Sequence, residues 1–252
     1  SNLKKMPSIF YPSLDANMKP GEQIRLAGEE FHHWAYVAHR RIKETVILNS
    51  GKGIMAKAEA VKIEPASALL ELTEIIDCPY PDYPFAIAFA LLKNRNDELI
   101  VEKCTELGVS ALFPLITDLS VRKPSANTIS RFQKIAISAI KQCDNPWLPE
   151  IFSPQDLKSA LANIKAQSYN PILCSERKPE QWMFDLSAEQ AGKPCFMIGA
   201  EGGWSTEEFN LMQDLPEICL AYQITRAETA AIVASAQWLA FAQRLKINTK
   251  AS

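Results

Sequence analysis

No stretch of this 252-residue chain approaches the roughly 20 apolar residues that a membrane-spanning helix needs. The N-terminus also lacks a hydrophobic signal core, so the protein is expected to be cytoplasmic; residues 1–5, ahead of Met6, are left out of the reading of the fold. Six cysteines (Cys78, Cys104, Cys143, Cys174, Cys195 and Cys219) show neither CxxC spacing nor a nearby histidine pair. That excludes a zinc pattern and the dense spacing of a small secreted scaffold, and fits reduced thiols. His32 and His33 have no third ligand at suitable spacing, so no metal is expected and both are read as packing and hydrogen bonding. Charge of one sign is also missing: the formal net charge is -2 and the pI near 6.0, so any nucleic-acid partner must be met by local patches. There is no internal repeat or low-complexity tract. Neither Gly-x-x-x-x-Gly-Lys-Ser/Thr nor Gly-x-Gly-x-x-Gly occurs where glycines cluster, which disfavours a nucleoside-triphosphate or dinucleotide site.

What is present is ample apolar content, 47% hydrophobic, enough for one large domain or two modest ones. Three prolines between Cys78 and Pro84 make a stiff stretch that neither a helix nor a central strand tolerates. The expected organisation is therefore a small β-rich domain over residues 1–78, a linker over 79–84 and a second domain over 85–252. In the first, Thr45 to Leu48, Gly53 to Ile63 and Ala68 to Ile76 have strand-like patterning, with a turn at Ser50-Gly51-Lys52-Gly53. In the second, Phe85 to Leu92 is continuously apolar, as in a strand covered on both faces. Asp97 to Leu107 then has helical spacing before Gly108, and Ala111 to Thr117 reads as the next strand. Further alternation follows: helices around Ile129 to Gln142 and Gln155 to Lys165, strands Pro171 to Cys174 and Pro194 to Ile198, helix Thr206 to Met212, strand Ile218 to Ile224 and helix Ala227 to Leu245. Strand and helix in turn predict an α/β fold with a parallel sheet.

Two segments carry chemistry. Gly199-Ala200-Glu201-Gly202-Gly203-Trp204-Ser205 follows an apolar strand, and Ser205 to Glu208 has capping-box spacing for the next helix. A glycine turn of this kind serves a purely structural role more often than a ligand. The second segment, Ile224 to Ala231, places Arg226 and Glu228 at the start of a strongly apolar helix. Glu228 suits the helix dipole, whereas Arg226 gains nothing from it and is better explained by a ligand. Loops at the C-terminal ends of neighbouring strands are where α/β proteins build pockets, so the site is expected between these two segments.

Taken with Leu92-Lys93-Asn94-Arg95, Lys103-Cys104-Thr105-Glu106-Leu107-Gly108-Val109, Pro114 to Thr117, Arg131 to Ala136 and Pro149-Glu150-Ile151, in that order, the chain resembles the ribosomal RNA small subunit methyltransferase E family along nearly its whole length. The resemblance implies a PUA-like β-barrel followed by a SPOUT domain with a C-terminal trefoil knot. It implies S-adenosyl-L-methionine as cofactor, a homodimer, and methyl transfer to N3 of a uridine in small-subunit (16S) ribosomal RNA, free or as the 30S particle. Carried over by position, Leu173, Cys174, Ile198, Gly199, Glu201, Gly202, Gly203, Leu220, Ala221, Tyr222, Ile224, Thr225, Thr229 and Ala230 would line the cofactor pocket. Arg226 would stand at the reacting uracil, with Glu201 and Glu228 as second catalytic candidates that serve equally well to fix the loops. Lys93 and Arg95 would hold RNA phosphates, with solvated surface charge as the equal alternative; Arg40, Arg41, Arg122 and Lys123 are further RNA candidates on the same footing.

The chain departs from the family pattern where it has Ala200 for a proline, and Ala221, Tyr222 and Gln223 for a glycine, a proline and an arginine. Two other readings therefore stay open. One is a diverged knotted paralogue acting as a non-catalytic RNA-binding or ribosome-assembly factor; the other is a SPOUT methyltransferase with a different RNA target.

Overall fold

The computed structural model describes residues 6–37, 42–177 and 180–250, with side chains up to 246 and that of residue 37 left out. The chain divides into two compact units, one comprising residues 1–80 with 137–148, the other 81–136 with 149–252.

The first unit is a five-stranded sheet of order β1-β3-β4-β5-β2, formed by β1 (Ser8–Phe10), β2 (Gln23–Ala27), β3 (Thr45–Asn49), β4 (Ile54–Ile63) and β5 (Ser67–Asp77). β1 runs parallel to β3, and the other pairs are antiparallel. Register shifts interrupt the long β4–β5 ladder between Lys57 and Ala58 and between Ala60 and Lys62. Such irregularities sharpen the twist of a ladder. In β2, buried Ile24 and Leu26 alternate with exposed neighbours, as expected for a sheet with one solvated face. Their partners in the core include Trp34, Val46, Leu48, Leu70 and Leu72, with Phe31 from helix α1 (Gly28–His32). The expectation of packed histidines holds only in part: His32 and His33 stand exposed while α1 turns Phe31 inward, and the His32 ring lies against Tyr36 with centroids 5.3 Å apart.

The second unit is a seven-stranded sheet. β6 (Ala86–Ala90), β7 (Ala111–Ile116), β8 (Glu150–Ile151), β9 (Gln155–Asp156), β10 (Asn170–Cys174), β11 (Pro194–Ile198) and β12 (Glu217–Ile218) take the order β12-β10-β11-β6-β7-β8, with β9 also on β7. Every pair is parallel. All five residues of β6 and of β11 are buried, so both faces of the centre are covered and period-2 alternation disappears from the sequence. One face carries α2 (Asn96–Glu106) and α7 (Ala227–Lys250), with Phe89 against Phe132 of α3 (Thr128–Cys143) and Phe196 against Trp238. On the other face α4 (Leu157–Ala166) brings Leu157, Ala160 and Ile164 against Ala86, Ala88 and Phe113. Two short helices, α5 (Ala188–Ala191) and α6 (Thr206–Leu211), complete the set.

Helix boundaries follow local chemistry. Gly108 takes φ +82 just past α2, the left-handed stop its position predicted. Helix α4 starts at Leu157 and not Gln155, because Asp156 caps it through the Ser159 N–H while Gln155 and Asp156 pair with β7. The last expected strand shrinks from Ile218–Ile224 to Glu217–Ile218. Its neighbour β10 ends at Cys174, opposite Ile218, so the chain beyond has no ladder to extend, and Tyr222 and Ile224 are 80% and 71% exposed.

Phe113 sits at the centre of the α4 face, 1% exposed and stacked on Phe152 with ring centroids 4.4 Å apart. Phe113→Ala should destabilise the second unit by about 3–5 kcal/mol. A fall in the urea midpoint without a change in m would show it; an unchanged midpoint would contradict this packing.

Candidate functional site

Strands β6, β10 and β11 end side by side, and the segments leaving them border one cleft of about 800 Å³. Cys174 ends β10 and Ser175 to Arg177 follow it, Ile198 ends β11 and Gly199 to Trp204 follow it, and Lys93, Asn94 and Asn96 come after β6. The remaining wall runs from Cys219 to Glu228 and includes Ala230, leading from β12 into the first turn of α7. The volume suits a drug-sized ligand, and the position is the one α/β sheets favour for binding.

The glycine loop is shaped by two positions that resist a side chain. Gly203 has φ +76 and its N–H donates to the Ala200 carbonyl at 2.9 Å, closing a tight turn. At Gly199 a Cβ would stand 3.0 Å from the Trp204 indole, so the ring packs directly against the backbone. Trp204 in turn belongs to the buried cluster of the α4 face.

Carboxylates tie this loop down at both ends. Glu201, exposed on the loop, accepts the Lys93 N–H at 2.9 Å and so links the glycine loop to the turn after β6. At the start of α6 the Ser205 hydroxyl accepts the Glu208 N–H at 3.1 Å and Glu208 accepts the Ser205 N–H at 2.9 Å, the reciprocal capping box its spacing predicted. Glu208 is buried, and its other oxygen accepts the Asp118 N–H at 2.9 Å, while the Ser205 hydroxyl donates to Asp118 at 2.5 Å. One buried carboxylate therefore holds the glycine loop to the segment that follows β7.

The opposite wall is held by backbone and side-chain contacts. Cys219 N–H donates to Gln181 at 2.8 Å, Gln237 of α7 donates to the Leu220 carbonyl at 2.9 Å, and Tyr222 meets Trp182 edge-on at 5.1 Å between centroids. The Arg226 carbonyl accepts the Ala230 N–H, opening α7; the Arg226 side chain is exposed on the cleft while Glu228 is buried beside it. At the β10 end, Arg177 lies 4.3 Å above the Phe209 ring and pairs with Glu217. Burial pushes the thiols of Cys174 and Cys195 well above the ordinary thiol range, so neither supplies a thiolate nucleophile at neutral pH.

The cleft gathers Arg226, Glu201 and Glu228, and from the expected cofactor residues Cys174, Ile198, Gly199, Gly202, Gly203, Leu220, Ala221, Tyr222, Ile224, Thr225 and Ala230. Leu173 and Thr229 are not on its wall: Leu173 points into the α4-face core, and Thr229 is exposed on α7. Lys93 borders this cleft, whereas Arg95 and Arg122 border a second one beside it and Lys123 is exposed outside both. Arg40 and Arg41 lie outside the described residues. Sequence reasoning missed Asn94, Asn96, Ser175 to Arg177, Ala200, Trp204, Phe209, Cys219 and Ala227. The segment Ser175 to Arg177 was findable, since it leaves a strand at the same edge; Phe209 was hidden in what reads as ordinary helix periodicity. Among the described residues no group of three or more His, Cys, Asp or Glu could hold a metal ion, and no helix is long and apolar enough to cross a membrane.

Removing the Glu208 carboxylate leaves two interior N–H groups without an acceptor. Glu208→Ala should cost about 2–4 kcal/mol and Glu208→Gln, which keeps one oxygen, about half of that. Urea denaturation together with faster amide exchange at Ser205 and Asp118 would show this, and wild-type exchange at both amides would refute the tether.

Comparison with known proteins assigns the fold and the cleft to a family. A family model described as RNA methyltransferase domain matches residues 79–239, which takes in both walls of the cleft. A ribosomal RNA small subunit methyltransferase E from Synechocystis is 30% identical over 76% of this chain, and the match spans 64% of that relative's length. Its counterpart from Rickettsia conorii is 25% identical over 89% of this chain and 92% of its own. Among solved structures, a ribosomal RNA small subunit methyltransferase E from Neisseria gonorrhoeae bound to S-adenosyl methionine superposes with a TM-score of 0.80 at 25% identity, covering 92% of this chain and 96% of that one. The chain belongs to the ribosomal RNA small subunit methyltransferase E family, whose RNA methyltransferase domain accounts for the parallel sheet and the cleft at its edge.

Proposed function

We propose that the protein transfers a methyl group from S-adenosyl-L-methionine to N3 of a uridine in small-subunit ribosomal RNA. The observation that carries this reading is the cleft itself, in which Arg226 and the glycine loop face one another at the C-terminal edge of the sheet, in a family whose Neisseria gonorrhoeae member is solved with S-adenosyl methionine. The lining fits such a cofactor. Ile198, Leu220 and Phe209 offer apolar surface, and the glycines of the loop let backbone groups approach closely.

When bound, S-adenosylmethionine supplies an electrophilic methyl group on a sulfonium. The chain's own residues have three tasks: to bring the uracil N3 in line with that methyl, to help the weakly acidic N3 proton leave, and to stabilise the charge that develops on the base. Arg226, exposed on the cleft and permanently cationic, is suited to the last. Glu228 is buried at the foot of the same wall, and Glu201 is engaged by the Lys93 N–H. That contact favours loop fixation as the task of Glu201.

In the same reading, residues 1–78 form a PUA-like RNA-binding barrel, 79–84 a linker and 85–252 a SPOUT domain whose C-terminal part closes a trefoil knot. A homodimer completes the site, and the protein works in the cytoplasm on the ribosomal RNA or the 30S particle. The five-stranded bulged sheet of the first unit and the all-parallel sheet of the second support that division. The segment Ala221 to Gln223 belongs to the wall of the cleft, where Tyr222, 80% exposed, rests edge-on against Trp182.

Arg226→Ala should lower methyl transfer to unmodified small-subunit RNA or particles by about 100-fold or more while leaving the fold intact. Nucleoside mass mapping of the product should find 3-methyluridine. Full turnover by Arg226→Ala would remove Arg226 from the reaction, and methylation at another atom or in another RNA would reassign the substrate.

A further inference from the structure

Beside the cleft described above lies a second, of about 490 Å³, lined by Lys93, Asn94, Arg95, Glu98, Arg122 and Arg131. Lys93 and Asn94 border both. Four cations gather here, and carboxylates orient two of them, Arg122 and Arg131. Asp97, wholly buried, accepts the Leu92 N–H at 3.0 Å and the Arg122 guanidinium through both oxygens. Glu98 takes the Nε and one Nη of Arg131 in a two-point pair. Arg122 is further held against the Phe132 ring, 5.9 Å from its centroid.

An arginine paired along one edge has its plane fixed and keeps its remaining N–H groups for a second anion, so little order is lost when that anion arrives. The charge balance, four cations against two carboxylates, leaves the cleft positive. Asn94 and Arg95 both adopt left-handed backbone, with φ 53 and φ 60, a conformation that costs non-glycine residues about 1 kcal/mol or more each. Both side chains are exposed, that of Asn94 at the border of the two clefts and that of Arg95 in the second. The Lys93 N–H bond to Glu201 fixes that turn from the glycine-loop side.

We infer that this second cleft is a phosphodiester subsite, in which Arg131, Arg95 and Lys93, with Arg122 behind them, grip the RNA backbone next to the nucleotide held in the first cleft. The inference rests on the methyltransferase reading for the identity of the RNA. Planar guanidinium forks match phosphate oxygens in pairs, and the border shared at Lys93 and Asn94 sets the gripped phosphate beside the first cleft. Arg131, far along the sequence on α3, thereby becomes part of substrate binding, while Lys123, exposed outside both clefts, does not.

The test uses the full-length protein and an unmodified transcript of small-subunit ribosomal RNA, with binding measured over a salt series. Arg131→Gln should weaken binding roughly 10-fold at low salt and reduce the slope of log affinity against log salt by about one. Under saturating S-adenosylmethionine its KM for the transcript should rise by a similar factor with kcat within about threefold, and its cofactor affinity by calorimetry should stay at the wild-type value. Arg131→Lys should restore the slope but only part of the affinity, because the fork is lost. Arg95→Asn, which tolerates the left-handed backbone, should show the same pattern as Arg131→Gln and guards against a folding defect at one site. Wild-type affinity and slope in both variants would overturn the subsite. Loss of cofactor affinity in them would also overturn it, since the cleft would then serve the cofactor's carboxylate. If the wild-type protein bound no S-adenosylmethionine, the methyltransferase reading would fail while the salt series still decided the subsite.

Discussion

A parallel sheet covered on both faces can open to solvent only at the ends of its strands, and this constraint organises the second unit. β6, β10 and β11 are paired in parallel and buried along their central residues, so their side chains are committed to packing. What remains for chemistry is the edge where all three stop. Parallel pairing brings the turn after β6, the segment after β10 and the glycine loop after β11 to that edge from well-separated positions in the chain. The wall leading into α7 joins them through β12.

Carboxylates then convert an edge of loops into a defined cleft. Glu208 holds the glycine loop to the chain after β7, Glu201 holds it to the turn after β6, and Asp97 anchors the start of α2 to Leu92 and Arg122. Burial pulls the Asp97 carboxyl up from the usual carboxylate range, while the Leu92 N–H and Arg122 oppose that pull. Each of these acids is engaged by backbone N–H groups, so their first service is to fix geometry. Arg226 differs, because its side chain is exposed on the cleft, and this difference makes it the stronger candidate for acting on a substrate.

Much of this was legible in the sequence because it rests on local signals. The all-apolar run from Phe85 to Leu92 announced a doubly covered strand, Gly108 the end of α2, and Ser205 with Glu208 the start of α6. Arg226 stood out as a feature that plain structure explains poorly, whereas the glycine loop alone was also explained by a structural turn. What stayed hidden depends on distant partners. The strand expected through Ile224 stops at Ile218 because β10 ends opposite it, which no pattern within residues 218–224 reveals. The pairings of Arg122 with Asp97 and Arg131 with Glu98 bridge 25 and 33 residues, so neither arginine could be told from a solvated surface charge before the fold was known. The exposure of His32 and His33 follows from which side of α1 carries Phe31, a choice the short segment does not signal.

The central claim is that the cleft between the glycine loop and the start of α7 holds S-adenosylmethionine. Calorimetric titration of the wild-type protein and of Ala230→Phe tests it most directly, since Ala230 lines the cleft from the first turn of α7 and a phenyl ring there would take up part of the space a ligand needs. The account predicts saturable binding by the wild type and markedly weaker binding by the variant, with both proteins folded. Only dilution heat from the wild type, or equal affinity in the two proteins, would contradict it.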